Sequence, residues 1–294
     1  MLEAMEWNDV FFMSPDRKVL TSEYLQIPGL QVFGRHTITN AVDPLLWHYH
    51  KDTFEIVYVS KGSITFSTEQ KDYSISGGSA FVVHPNEIHS TNCIPMSVGE
   101  IYWIQLNIAN EENLLYLNRE ASAHLIHRIR SLPHHTVAIN NSDVLSSLKQ
   151  AFKICLHSGN KYIAAAHLTL FLQYLPEYSD TTQFTLTPDI GKSVNYILDH
   201  VTENLTLDEL AEFCHLSTSQ YKQKFKNQMG ISPRSFINRQ KIELSKILLL
   251  ERNDITQVAL DLGFSSSSYF STVFKQYNTY SPREYVKRQS HGRE

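Results

Sequence analysis

The chain has 294 residues, of which 42% are hydrophobic and 19% charged. This composition excludes a disordered or collagen-like chain, and the length fits about two globular domains. Taken as a whole, the net charge of −4 argues against a nucleic-acid partner. No apolar run approaches the roughly 18 residues of a membrane span, and the first residues lack the features of a secretory signal. Three scattered cysteines exclude a disulfide framework or a zinc finger, so we expect a cytoplasmic protein without a membrane partner.

β structure is predicted for residues 21–109. Short apolar or alternating runs recur there, and turn residues such as Lys61-Gly62 and Gly77-Gly78 separate them. Many short strands at regular spacing, with no helix between them, are typical of a small barrel or sandwich. We therefore assign residues 1–110 to an N-terminal β-barrel domain.

Two segments of this region resemble the sequence motifs of the cupin family. His48, His50 and Glu55 fit its first motif, and the stretch from Pro85 to His89 resembles its second, with one residue fewer between the Pro and the His. Alternation along a strand puts His48 and His50 on the same side, so all four side chains can meet inside a barrel. The interpretation that we favour is a pocket lining or a structural role without a metal. The alternative is a metal ion held by His48, His50, Glu55 and His89.

Helices are predicted after the β region. Asp143–His157 places apolar residues at steps of three and four, and Tyr162–Leu175 is apolar on nearly every side before Pro176 ends it. Such a helix is buried in its own core or against a second chain. We assign 111–176 to a helical dimerisation subdomain and the polar segment 177–188 to a linker.

The C-terminal region, 189–294, is predicted to be helical throughout and contains an internal repeat. Residues 206–228 and 254–277 each indicate a short helix, a tight turn and a longer helix, and a Ser-Pro pair then begins a further helix. This order is the helix-turn-helix pattern. The long helix between the copies can hold both second helices in successive major grooves of one duplex, about 34 Å apart.

Basic residues are concentrated in the same region. Residues 1–184 carry a net charge of −6 and residues 185–294 a net charge of +2. Six basic and no acidic residues lie between Phe213 and Ile242. The overall charge therefore combines an acidic N-terminal part with a C-terminal domain that has a basic face, as nucleic-acid-binding domains do.

Residues 190–290 resemble the DNA-binding domain of the AraC/XylS family of bacterial transcription regulators. The match is strongest over DITQVALDLGFSSSSYFSTVFKQYNTYSPREY, which begins at Asp254. This chain has His215 and Thr279 where the family usually has Gly, and Asn278 can adopt the left-handed conformation in place of the second Gly. The resemblance implies a cupin-like sensor domain that binds an effector, a homodimer, and RNA polymerase as a partner of an activator.

Two helices are expected to contact the DNA. On the second helix of the first copy, Gln220, Lys222 and Gln223 are candidates for base edges, because amide and ammonium groups bond adenine and guanine. Ser219 and Lys226 are candidates for phosphate contacts. The equivalent helix of the second copy presents short hydroxyl side chains, which discriminate bases poorly, so phosphate contacts are expected there. The further candidates are Arg239, Lys241, Ser267, Ser268, Ser271, Thr272 and Lys275, whereas Tyr269 is expected to be mostly core.

The sequence thus predicts a multidomain α+β chain that binds double-stranded DNA and regulates transcription, is not an enzyme and needs no cofactor. A small-molecule effector, by family resemblance a sugar or related metabolite, would bind in the barrel; the alternatives are an aromatic acid, a signalling molecule or no ligand at all. The candidate effector-binding residues are Arg35, His36, Trp47, His48, His50, Glu55, Tyr58, His89 and Trp103. The alternative is a metal-dependent cupin enzyme, a dioxygenase or isomerase, with a helical C-terminal appendage; it leaves the repeated helix-turn-helix without a role.

Overall fold

The computed structural model of the chain describes residues 4–92, 94–139, 141–179, 186–252 and 254–291. The middle of the expected linker, 180–185, lies outside these ranges. Among the described residues, no helix has both the length and the apolar character needed to cross a membrane. The described residues divide into two compact units, and the second unit contains the C-terminal helices together with the short segments 38–43 and 95–98.

Two β-sheets, whose strands pair mostly antiparallel, form the core of the first unit. The strands, in chain order, are β1 Met5–Glu6, β2 Phe12–Met13, β3 Arg17–Thr21, β4 Leu30–Ile38, β5 His48–Tyr49, β6 Thr53–Lys61, β7 Ser63–Thr68, β8 Asp72–Ser76, β9 Ser79–Val83, β10 His89–Ser90, β11 Gly99–Asn107 and β12 Thr136–Ala138. One sheet has the order β1-β5-β10-β7-β8, and the other has the order β12-β9-β6-β11-β4-β3-β2. The predicted β-rich N-terminal domain is therefore confirmed.

The strands form two separate sheets and not the closed barrel that we expected. In the smaller sheet, β1, β5 and β10 are each only two residues long. Such short strands offer few ladder hydrogen bonds with which a barrel could be closed. The fold is consequently cupin-like in its strand content but remains open between the sheets.

Strand pairing places four polar residues opposite one another as two pairs, one in each sheet. His48 on β5 lies opposite His89 on β10 in the smaller sheet. Glu55 on β6 lies opposite Gln105 on β11 in the larger sheet. Because successive side chains of a strand point to opposite faces, Phe54, Ile56 and Tyr58 leave Glu55 on the other face of β6 and join the core shared with the helices.

The helices of the first unit pack on the larger sheet. They are α1 Ser22–Leu25, α2 Arg119–Arg130, α3 Ser142–Leu156 and α4 Lys161–Ser179, with a 3-10 helix over Glu111–Tyr116. Helix α4 continues past Pro176, where we expected it to end. Proline removes one backbone donor and so costs one hydrogen bond, and the Ser179 hydroxyl donates to the Pro176 carbonyl at 2.7 Å.

The described residues of the second unit include seven helices: α5 Pro188–Asp199, α6 Leu207–Phe213, α7 Thr218–Met229, α8 Pro233–Arg252, α9 Ile255–Asp261, α10 Ser267–Tyr277 and α11 Pro282–His291. Both predicted helix pairs are present: α6 and α7 span 207–229 against the predicted 206–228, and α9 and α10 span 255–277 against the predicted 254–277. Helix α8 contributes Phe236 and Ile237 to one hydrophobic cluster and Ile242 and Leu249 to another, so it connects two small cores.

The two tight turns have the same backbone geometry. His215 follows α6 with φ 55°, and Gly263 follows α9 with φ 68°. His215 therefore adopts the left-handed conformation that the family's glycine would adopt. Asn278 does not, contrary to our expectation: its φ of −137° is extended. Its side-chain amide instead donates to the Phe274 carbonyl at 3.1 Å and so caps the end of α10.

Candidate functional site

Helix α7 has one buried and one exposed face. Tyr221 and Phe225, four residues apart, are completely buried against α5 and α8, which stabilises the fold by about 1.5–3 kcal/mol per side chain. The opposite face carries the exposed polar and basic side chains that the sequence predicted for DNA contact, namely Ser219, Gln220, Lys222, Gln223 and Lys226.

One of these side chains already has a structural role. The Gln220 Oε1 atom accepts from the Ser217 backbone N–H at 3.1 Å and from the Ser217 hydroxyl at 2.9 Å. These contacts complete a capping box at the start of α7. Bidentate recognition of adenine needs the same oxygen, so Gln220 cannot cap the helix and recognise adenine in that way at once. Gln223 and Lys222 are therefore the stronger candidates for base contact.

Lys241 is the clearest departure from the sequence interpretation. We expected its side chain to contact a phosphate, but the residue is 95% buried, with 5% relative exposure. Its ammonium donates to the Glu203 carbonyl at 2.9 Å and lies 5.7 Å from the ring centroid of Phe264. Burial also lowers the pKa of Lys241. Ile237, Lys241, Ser245 and Leu249 follow one another at four-residue steps, so the lysine lies on the buried face of α8.

Helix α10 presents a hydroxyl-rich surface. Ser268, Thr272 and Lys275 are exposed, whereas Ser267 and Ser271 are half-buried. The Ser271 and Thr272 hydroxyls donate to the carbonyls of Ser267 and Ser268, at 2.8 Å and 3.1 Å, so their protons serve the helix itself.

Tyr269, which we expected in the core, is 41% exposed on α10. Ring packing against Phe264 holds only one side of it. The buried residues of α10 are Phe270, Val273, Phe274 and Tyr277, and helical spacing places Tyr269 at the edge of the face that they form. The phenol can donate to a phosphate, and sequence reasoning missed it.

An ion pair positions α7 against α5. The Lys224 ammonium lies 2.6 Å from Asp189 Oδ2. Burial opposes ionisation of Asp189, but Lys224 and the Thr187 hydroxyl outweigh it and lower its pKa to about 2. Lys224 is therefore occupied within the domain, while Lys222 and Lys226 on the same helix point outward. Arg239 on α8 is half-buried.

A second cluster of polar side chains is buried between the two sheets of the first unit. His48, His50, Glu55 and His89 are each at most 6% exposed. One donor atom from each lies within 4.8 Å of all the others. Glu55 Oε1 is 3.4 Å from His50 Nε2, and Glu55 Oε2 is 3.0 Å from His89 Nε2. Imidazole and carboxylate groups arranged in this way can hold protons or a cation.

Backbone carbonyls orient all three imidazoles. The Nδ1 atoms of His48, His50 and His89 lie 2.6 Å, 3.0 Å and 3.0 Å from the carbonyl oxygens of Leu46, Trp7 and Glu87. A carbonyl oxygen only accepts, so each Nδ1 carries the proton and each Nε2 is directed toward the cluster.

The cluster has unequal proton affinities. Burial and the neighbouring His89 lower the pKa of His48 to about 4, so its imidazole is neutral at neutral pH. Burial lowers the pKa of His50 as well, but the Glu55 carboxylate outweighs this effect and the net pKa is raised. Burial raises the pKa of Glu55, yet His50 and His89 hold it well below its usual range. The carboxylate is therefore the fixed negative charge of the site.

The other predicted effector residues are distributed over different surfaces. Trp103 lies near the histidine cluster, because its Nε1 and Gln105 Nε2 both donate to Asp9 Oδ2, at 3.3 Å and 2.9 Å. Tyr58 does not: it lies on the opposite face of β6 from Glu55, and its ring contacts Phe171 of α4. Alternation explains the difference, since positions 55 and 58 are an odd number of residues apart.

Arg35, His36 and Trp47 are not members of the four-residue cluster. Arg35 forms an ion pair of 2.6 Å with Glu100 and lies 5.9 Å from the ring centroid of Tyr102. His36 is half-buried, and burial together with Arg17 lowers its pKa. Trp47 is half-buried beside β5. The structure thus brings His48, His50, Glu55 and His89 together with Trp103 nearby, and it places Tyr58 on the opposite face of β6.

Both units match known protein families. Residues 46–172 match the AraC-like ligand binding domain, and residues 210–288 match a helix-turn-helix domain. The two matches together cover well over half of the chain. Both polar surfaces described above, the exposed face of α7 and the buried histidine cluster, lie within the matched residues.

Relatives of the chain are named as regulators. An uncharacterized HTH-type transcriptional regulator of Staphylococcus aureus is 25% identical over 242 residues, which are 78% of this chain and 31% of that protein. The regulatory protein PocR of Salmonella typhimurium is 25% identical over 201 residues, 64% of this chain and 63% of PocR. This chain therefore spans about a third of the length of the S. aureus regulator.

Two solved structures also align with this chain. ToxT of Vibrio cholerae is 16% identical, covers 88% of this chain and 98% of its own, and has a TM-score of 0.33. The DNA-binding domain of AdpA, solved with a target DNA, is 24% identical, covers 36% of this chain and 97% of its own, and has a TM-score of 0.34. On the two family matches and the regulators that share its sequence, the chain belongs to the AraC/XylS family of helix-turn-helix transcriptional regulators.

Proposed function

We propose that the chain is a cytoplasmic transcription regulator, and not an enzyme, that binds double-stranded DNA sequence-specifically through α7 and α10. The observation that carries the proposal is the repeat of a turn-linked helix pair, α6 with α7 and α9 with α10, around the long helix α8. Helix α8 has 20 residues and is therefore about 30 Å long. That length is close to the spacing of about 34 Å between successive major grooves on one face of a duplex.

Base discrimination comes mainly from α7. Gln223 and Lys222 are exposed there, and amide and ammonium groups bond base edges in the major groove. Lys226, Ser219 and Arg239 contact phosphates, as do Ser267, Ser268, Ser271, Thr272 and Lys275 of the second copy. Phosphate contacts fix the orientation of the protein on the duplex but carry no sequence information.

A small-molecule effector, of the class of sugars or related metabolites, binds in the first unit. The match of residues 46–172 to the AraC-like ligand binding domain supports this part of the proposal. The effector changes DNA binding only if it has different affinities for two states of the protein. A thermal-shift screen of sugars and related metabolites against the full chain is the direct test; a screen in which no compound shifts the melting temperature contradicts it.

The chain acts as a homodimer, and an activating role would add RNA polymerase as a partner. An exposed apolar stripe on α4 supports the dimer. Ile163 and Leu170 are 51% and 44% exposed, and Ala166 lies exposed between them. Positions three, four and seven residues apart share one helix face, so these side chains form a surface that a second copy can cover.

The experiment that tests DNA binding compares two substitutions on α7. The full chain first selects its preferred duplex from a randomised pool, and affinities are then measured by gel shift at two salt concentrations. For Gln223→Ala we expect a loss of about 1–3 kcal/mol on the selected duplex and little change on a scrambled one. For Lys226→Ala we expect weaker binding to both duplexes and a salt slope reduced by about one.

The control variant is Lys153→Ala, an exposed lysine on helix α3 of the first unit. It removes the same charge and leaves both helix-turn-helix units unchanged, so its affinities should equal those of the unaltered chain. An equal loss on both duplexes for Gln223→Ala contradicts its role in base recognition. A pool that yields no preferred duplex contradicts the proposed function.

A further inference from the structure

We infer that His48, His50, Glu55 and His89 form a binding site for one divalent first-row transition-metal ion. The inference is independent of the proposed DNA binding, because all four residues lie in the first unit and none of them is a candidate for DNA contact. Three further observations support the site: the convergence of the donor atoms, the orientation of the imidazoles and the second carboxylate nearby.

The donor atoms converge closely enough for one ion. Nitrogen and oxygen ligands lie about 2.0–2.2 Å from such an ion, so two ligands of one ion are at most about 4.4 Å apart. The distances from Glu55 to His50 Nε2 and His89 Nε2 are 3.4 Å and 3.0 Å, within that limit. All four donor atoms lie within 4.8 Å of one another. Side-chain rotations that move these atoms by a few tenths of an ångström would therefore bring them all to one ion.

The imidazoles are held as metal ligands are usually held. A ligating histidine donates its second ring N–H to a carbonyl or carboxylate, which fixes the ring and directs the other nitrogen to the ion. His48, His50 and His89 each do this through Nδ1, with three different backbone carbonyls as acceptors. All three are directed in this way, which a single buried ion pair with Glu55 would not require.

A second carboxylate lies in the outer shell. Gln105 Nε2 donates both to Glu55 Oε1 at 3.1 Å and to Asp9 Oδ2 at 2.9 Å. A dication held by three neutral imidazoles and one carboxylate keeps one positive charge, and the Asp9 carboxylate offsets it. The segment that carries Asp9 also supplies the Trp7 carbonyl to His50, so the segment after β1 lies against one side of the site.

The ligand set selects the class of ion. Calcium and magnesium prefer oxygen ligands, whereas imidazole suits iron, nickel, copper and zinc. Three imidazoles and one carboxylate therefore favour an ion of that second group. The competing explanation is a buried histidine–glutamate network that holds protons only, in which the side chain of Glu55 contacts His50, His89 and Gln105.

The test uses cobalt(II) as the probe ion on the full chain, purified in chelator and then freed of it. Absorption of the bound cobalt and quenching of tryptophan fluorescence report binding, and elemental analysis gives the stoichiometry. We expect one cobalt per chain and, at about 100 times the dissociation constant, a melting temperature raised by about 5–10 °C.

Substitution of His48 separates the two explanations. The contacts of Glu55 with His50, His89 and Gln105 do not involve His48, so His48→Gln leaves a proton-only network in place but removes a metal ligand. We expect His48→Gln to weaken cobalt binding by at least about 100-fold, as loss of a ligand should cost no less than loss of an outer-shell partner. Glu55→Gln, a near-isosteric change, should weaken it similarly.

The matched control is His124→Gln, an exposed histidine on helix α2, which should bind cobalt as the unaltered chain does. Circular dichroism melts in chelator show which variants fold, and the two ligand variants provide independent readings if one of them does not. Absence of cobalt binding by the folded, unaltered chain overturns the inference. Equal binding by His48→Gln overturns the assignment of the ligands.

Discussion

At the scale of single residues, the turn of the first helix-turn-helix contains a strained position. His215 has φ 55°, whereas Gly263 occupies the equivalent place in the second copy with φ 68°. A non-glycine residue in the left-handed region costs about 1–2 kcal/mol, because its Cβ approaches the following carbonyl. The first copy therefore carries a cost that the second copy avoids.

Replacing this histidine by glycine should stabilise the second unit. For His215→Gly we expect the free energy of unfolding in urea to rise by about 0.5–1 kcal/mol, since relief of strain exceeds the added entropy of the unfolded chain. Gly263→Ala is the opposite substitution at the equivalent position and serves as the control. It should lower the free energy of unfolding, because the new Cβ lies 3.2 Å from Lys241 Nζ. A lower stability for His215→Gly would show that the histidine side chain makes a compensating interaction.

Lys241 illustrates what residue type alone does not determine. Its charge and its place among six basic residues suggested a phosphate contact. Its side chain in fact donates to the Glu203 carbonyl inside the second unit. Only the phase of α8 decides this, and the apolar pattern of α8 is weak because its buried residues include the polar Lys241 and Ser245. Lys222 and Lys226, which also belong to this group of basic residues, are exposed on a helix with one clear core face, so their DNA contacts stay a prediction.

At the scale of elements, the sequence was most informative where a helix begins with a capping box and has a single apolar stripe. Helices α6 and α7 begin with capping boxes at Thr206 and Ser217, and the predicted helices there match the structure closely. Helix α2 was missed, because only Leu125, Ile126 and Ile129 provide its large apolar contacts. The site cluster depends on pairing between distant strands, so the motif could suggest its members but not their register.

The exposed stripe of α4 makes a prediction at this scale. If Ile163, Ala166 and Leu170 are covered by a second copy, Leu170→Glu buries an unpaired charge in that surface and should shift the protein from dimer to monomer. Sedimentation equilibrium measures the change. Leu198→Glu, at a leucine of α5 with 46% exposure against 44% for Leu170, is the matched control. Unchanged association of Leu170→Glu would place the dimer surface elsewhere.

At the scale of the whole molecule, charge is divided between the parts of the chain. The first 184 residues carry −6, and the remaining residues carry +2. A net charge of +2 gives weak non-specific affinity, because that affinity comes from neutralised phosphates. We therefore expect useful occupancy of DNA to depend on linked contacts, namely the two helix-turn-helix units of one chain and the two chains of the proposed dimer, each raising the effective concentration of the next.

The central claim is that both helix-turn-helix units of one chain engage the same duplex. Hydroxyl-radical footprinting of the full chain on its selected duplex tests this most directly. We predict two protected segments for each bound chain, on one face of the duplex and about 10–10.5 base pairs apart, the spacing of successive major grooves. Substitution of Gln223 and Lys226 on α7 should remove one segment and weaken the other. A single protected segment in the unaltered protein would contradict the claim.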